Sequence, residues 1–148
     1  MYVPPLNSLL SVLNCSRKDF DGASKIPVPA PLLRLLLQLA VVNSDFNEAG
    51  YLKANPDVEG GIKSKSVDSA FMHYIGYGFY EGRVGGTPDV DEAWYLKTYP
   101  DVMASVKSGS IKSATEHFNI VGAAEGRSPN AQYQAEAFQW KKALVAGA

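Results

Sequence analysis

What this sequence has little of narrows its function first. It holds one cysteine, Cys15, so no disulfide forms within the chain and no oxidising compartment is implied. Charge of one sign does not accumulate: 14 Lys and Arg against 15 Asp and Glu leave a net charge of −1. A nucleic-acid binder ordinarily carries a basic patch that displaces counterions from phosphates, and no such patch is spelled here. Long apolar runs are missing too. The most apolar stretch, LLRLLLQLAVV at 32–42, is interrupted by Arg34 and Gln38 and is about half the twenty residues that a bilayer crossing needs. It reads as a buried or partner-facing helix. The opening MYVPPLNSLLSVLNC has neither the basic start nor the small-residue cleavage site of a secretory signal,. Asparagine before Cys15 also fits lipoprotein processing poorly. The expectation is a soluble cytoplasmic chain, with secretion by a non-classical route left open.

Catalytic signatures are equally sparse. No Gly-rich phosphate loop follows a strand-like run, and no Gly-x-Ser-x-Gly elbow occurs. Zinc needs three or four converging ligands, and calcium loops need several oxygens in a short span. Neither pattern is present, so the expectation is no enzyme, no cofactor and no metal. An apolar fraction of 46% is nevertheless that of a folded domain, and no window alternates as a strand would.

What the chain does contain is its own comparison. Residues 45–83, DFNEAGYLKANPDVEGGIKSKSVDSAFMHYIGYGFYEGR, align without a gap on residues 89–127, DVDEAWYLKTYPDVMASVKSGSIKSATEHFNIVGAAEGR, and 19 of 39 positions are identical. A repeat of this length is one supersecondary unit, and the positions it retains are those the unit requires. In the first copy Val67, Ala70, Tyr74 and Tyr77 make one helical stripe, and Ile111, Ala114, Phe118 and Val121 make its counterpart. Ser66 and Ser110 stand where N-caps are expected, and Gly82 and Gly126 where a left-handed residue closes the helix. Upstream, Asn47 and Asp91 read as Asx caps of a short helix. Pro56 and Pro100 then open a second helix, with Asp57 and Asp101 at its positive end.

The predicted fold is therefore all-α: two tandem three-helix repeats of about 44 residues, stacked on a shared face, with helical caps at both ends. The expected divisions are 1–44 (N-terminal helical segment, with 16–30 as linker), 45–88, 89–130, and a C-terminal capping helix in 131–148. Phe138 and Trp140 are expected to cover the open end of the second repeat.

YLKANPDV…HYIGYGFYEGR and YLKTYPDV…HFNIVGAAEGR resemble a bacterial tandem helical repeat. It is found beside large glycosyltransferases of surface-polysaccharide synthesis and in some secreted calcium-binding, haemolysin-like proteins. The resemblance spans residues 45–130. It implies a non-catalytic accessory module that contacts protein, a glycosyltransferase or other polysaccharide machinery, or handles glycan. Gly50, Tyr99 and Val84-Gly-Gly depart from the family pattern.

Two groups of residues follow as candidates. Asp57, His73 and Arg83, with Asp101, His117 and Arg127, are retained in both copies and read as structural framework. Each histidine, one step off the stripe, is expected to bond backbone or an acid of its own unit rather than a metal. Each arginine is expected to clamp Asp57 or Glu48, or their counterparts. Tyr77, Phe79 and Tyr80 do not recur as aromatics, since Val121, Ala123 and Ala124 replace them. With Leu32 and Leu36 they form the candidate ligand or partner surface; the alternative is that the rings pack on the helix at 32–42.

Overall fold

The computed structural model describes residues 2–22 and 25–145. It is all-helical, with no strand among the described residues. Among the described residues three helices precede the repeats: α1 (Leu6–Val12), α2 (Arg17–Asp21) and α3 (Ala30–Val42). The stretch expected as a linker is thus partly helical. Ser16 accepts from the Asp19 N–H while the Asp19 carboxylate accepts from the Ser16 N–H, a reciprocal cap that starts α2,. Positions 23 and 24 of that stretch, and 146–148 of the C-terminal segment, lie outside the described residues. In α3, Pro31 occupies the first turn, where its missing N–H costs nothing,.

The first repeat contributes α4 (Glu48–Ala54), α5 (Pro56–Lys63) and α6 (Ala70–His73); the second contributes α7 (Glu92–Thr98), α8 (Pro100–Lys107) and α9 (Ala114–His117). Helix α10 (Gln134–Val145) follows. The starts of α4 and α7 are those expected: Asn47 accepts from the Gly50 N–H and Asp91 from the Trp94 N–H. Gly82 and Gly126 take φ values of 71° and 70°.

The third helix differs from expectation in two ways. Its N-caps are Ser69 and Ser113, whose hydroxyls accept from the Met72 and Glu116 N–H groups. Ser66 is instead held at the end of α5, within hydrogen-bonding distance of the Ser64 hydroxyl and the Gly61 carbonyl, and Ser110 meets Ser108 in the same way. The helix then widens. Residues Tyr74–Gly78 and Phe118–Gly122 form π turns, in which Phe79 and Ala123 donate to carbonyls five residues back,. A wider turn moves the buried face from i+3 to i+4. The buried positions are consequently Ala70, Tyr74 and Gly78, matched by Ala114, Phe118 and Gly122, while Tyr77 swings out into solvent.

Each repeat closes a core of its own. Tyr51, Val58, Ala70 and Tyr74 form one, with Val41 of α3 joining them. Tyr95, Val102, Ala114 and Phe118 form the other. No residue is common to both clusters, so the expected shared face is not what buries the apolar side chains. A polar contact joins the units, with Asn47 donating to the Asp89 carboxylate at 2.8 Å, and the Tyr133 hydroxyl of the C-terminal segment donates back to Asp45 of the first repeat at 2.6 Å. Helix α10 lies against the end of the second repeat. It approaches Gly126 through Lys141, where a Cβ on the glycine would collide with the lysine stem. Phe138 borders the pocket between α10 and the end of the second repeat, beside Tyr99 and Arg127, but it is 63% and Trp140 54% exposed, so the two rings do not seal that end as expected.

Candidate functional site

The residues retained by both repeats assemble into two devices inside each unit. The first is a tyrosine–histidine–glycine lock. The hydroxyl of Tyr51, on α4, lies 2.9 Å from Nδ1 of His73 at the end of α6, and Tyr95 reaches His117 at 3.0 Å. The histidine partner is thus a tyrosine hydroxyl of the same unit, not the backbone group or acid expected. The tyrosine hydroxyl also rests on Gly78 or Gly122, where any Cβ would run into it. Both tyrosine rings are fully buried, and burial pushes the Tyr51 hydroxyl up and the Tyr95 hydroxyl up to about 12,. They remain neutral hydrogen-bonding groups at any physiological pH. Tyr51 and Tyr95 are identical between the copies, and that identity was the available signal for them.

The second device is the arginine clamp. Arg83 donates to Asp57 at 2.6 Å and to Glu81 at 2.7 Å. Arg127 makes a bidentate pair with Asp101, at 2.9 and 2.7 Å, and reaches Glu125 at 2.6 Å. Of the two acids expected, Asp57 and its counterpart are the partners. Glu48 is not, because the aspartates sit in the first turn of α5 and α8, facing the returning chain. The arginine hydrogen bonds hold both aspartates below the usual carboxylate range. Glu92 works elsewhere: it accepts from Ala114 N–H, Thr115 N–H and the Thr115 hydroxyl at the start of α9. Burial would raise its pKa, but those bonds more than offset this and lower it.

A third pair of positions, 55 and 99, does one job with two chemistries. Asn55 donates from its amide to the Val84 carbonyl, and the Tyr99 hydroxyl accepts from the Ser128 N–H. Both tie the end of the unit to its first two helices. The departures from the repeat pattern at Tyr99 and Val84-Gly-Gly fall at this joint.

The candidate surface divides. Phe79 is half-buried against the first core, edge-on to Tyr74 at 6.0 Å between ring centres. Tyr80 is half-buried and docks on α3, donating its hydroxyl to the Arg34 carbonyl at 3.0 Å while the Arg34 guanidinium covers its ring at 4.1 Å. These two rings are packing groups that seat α3. Tyr77 is 65% exposed. Leu32 is half-buried, while Leu36 is exposed beside Leu33 and Leu35.

Among the described residues no three His, Cys, Asp or Glu side chains converge as a metal site would need, and no helix is long and apolar enough to cross a membrane. Comparison with protein-family models, with curated proteins and with solved structures finds no match.

Proposed function

We propose that this chain is a non-catalytic interaction or scaffold module acting on the cytoplasmic side as an accessory of bacterial surface-polysaccharide synthesis. Its partner is then a glycosyltransferase or another component of that machinery. The observation that carries the interaction reading is the solvent side of α3, where Leu33 and Leu36, about one turn apart, are 48% and 52% exposed, with Leu35 at 52% on its flank,. Three leucines on a helix whose other side already seats on the first repeat present apolar area that a partner surface would remove from water. The polysaccharide assignment rests on the repeat's resemblance alone. In support of a non-catalytic role, the histidines, aspartates and arginines that the copies share are engaged with one another and hold the units together.

The test is affinity capture from the native cell with the wild-type chain and with Leu33→Glu/Leu36→Glu. Both positions face solvent, so the variant keeps its fold, as circular dichroism would verify. A component of polysaccharide assembly should be captured by the wild type and lost by the variant. Equal capture by both would remove α3 as the contact surface. Captured proteins unrelated to polysaccharide assembly would favour an adaptor in another assembly. A lectin-like reading keeps one of its three rings, Tyr77, because Phe79 and Tyr80 are occupied in packing.

A further inference from the structure

Tyr77 does not stand alone on its surface. The π turn swings it out beside His73, with ring centres 5.9 Å apart at 43°. Together they border a groove of about 490 Å³ between α3 and the 66–77 segment. Gln38 of α3 lines it together with Ser66, Asp68 and Met72. We propose that this groove is a binding subsite for a neutral pyranose of an oligosaccharide chain. This inference rests on the lectin-like reading and is independent of the α3 partner surface.

The chemistry selects the ligand. A pyranose has an apolar C–H face and a rim of hydroxyls, so it needs an exposed ring beside hydrogen-bonding side chains. Tyr77 supplies the ring, an amphipathic group that is 65% exposed,. Gln38 brings an amide that donates and accepts, and Asp68 a carboxylate that accepts from sugar hydroxyls, while the Ser66 hydroxyl, donating to the Gly61 carbonyl, has only acceptor capacity to offer. His73 is oriented by its Nδ1 contact with Tyr51, so the group beside Tyr77 is fixed before a ligand arrives. Asp68 is the one carboxylate or cation in the lining. It favours hydroxyl-rich neutral sugars and repels acidic ones. The volume suits one or two sugar rings.

The second repeat shows that this lining is not demanded by the fold. Asp68, Met72, Ile75, Gly76 and Tyr77 align with Lys112, Glu116, Asn119, Ile120 and Val121. The same backbone thus accepts different chemistry at these positions, while His73 and His117 are kept for the lock. The groove is a property of the first repeat, and these five positions are open to substitution without unfolding the unit.

The experiment is an amide-shift NMR titration of the full chain with neutral gluco-, galacto- and manno-hexaoses and with an acidic oligogalacturonide. Saturable shifts at Asp68, Gly76 and Tyr77 with at least one neutral sugar are expected, and weaker or absent shifts with the acidic one. Tyr77→Ala should weaken binding at least tenfold, Tyr77→Phe should stay within a few fold, and Gln38→Ala should weaken it several fold. Failure of every neutral hexaose to shift these amides overturns the proposal, as does unchanged affinity in Tyr77→Ala. Tighter binding of the acidic sugar overturns the selection for neutral ligands. Because Leu33 and Leu36 lie outside the groove, loss of partner capture with those variants leaves this titration unaffected.

Discussion

At the scale of single residues, the glycines sort by what a methyl group would meet. Gly78 sits under the Tyr51 hydroxyl, whereas Gly60, in α5, has nothing within 4 Å of where its Cβ would stand. Gly78→Ala must displace a buried tyrosine or the turn beneath it, which costs about 2 kcal/mol in an otherwise close-packed site. Gly60→Ala meets open space and removes unfolded-chain freedom, so it should gain about 0.5–1 kcal/mol. Urea denaturation of the two variants checks this pair, and a common sign would refute the lock. This contrast was half legible in the sequence. Gly78 recurs as Gly122 and Gly60 does not recur, since Ala104 takes its place. Retention marks Gly78 as required. It does not say that a tyrosine from a helix 27 positions upstream is the reason, because periodicity assigns faces and not partners.

At the scale of elements, capping and clamping were legible where the chemistry is local. Asn47, Asp91, Pro56, Pro100, Gly82 and Gly126 do as their residue types predict, each through atoms within a turn of itself. The π turn was not legible. Its extra residue shifts every later side chain, so a stripe counted at 3.6 residues placed Tyr77 inside. The same shift makes Gly78 buried and leaves Tyr77 free. The clamps carry a pH signature. Asp101 has its pKa lowered in the folded state by Arg127, so the native chain binds fewer protons there than the unfolded chain. Its contribution is therefore full above the ordinary carboxylate pKa of about 4 and is lost as pH falls through the lower folded value. Asp101 is 62% exposed, which limits that contribution to about 1 kcal/mol. Thermal unfolding of wild type and Asp101→Asn between pH 6 and 2.5 should show a gap in midpoint that closes as pH falls. A gap that persists at low pH would mean that the clamp works by geometry and not by charge.

At the scale of the whole molecule, the duplication was plain in the sequence, but its assembly was not. Repeats of this size are expected to bury a continuous face, and here the apolar clusters are separate. The reason lies in the residues around the π turns. Phe79 and Tyr80 seat α3 on the first unit, while the corresponding Ala123 and Ala124 offer no ring on which a further helix could seat. The first unit therefore draws extra core from the N-terminal helix, through Val41, and the second has only its own four buried residues. The polar bond from Asn47 to Asp89 ties the repeats without apolar burial, as Tyr133 to Asp45 ties the C-terminal segment to the first, and exposed bonds of this kind contribute on the order of 1 kcal/mol each. Such coupling is too weak to make one unit's loss the other's. Val102→Ala removes two methyl groups from the second core, costing about 2 kcal/mol, and the loss should stay local. Native-state hydrogen exchange should then show faster exchange of the α8 amides at 102–107 in the variant, while the α5 amides at 58–63 exchange at the wild-type rate. Equal acceleration in both helices would show that the two repeats unfold as a single cooperative unit despite their separate cores.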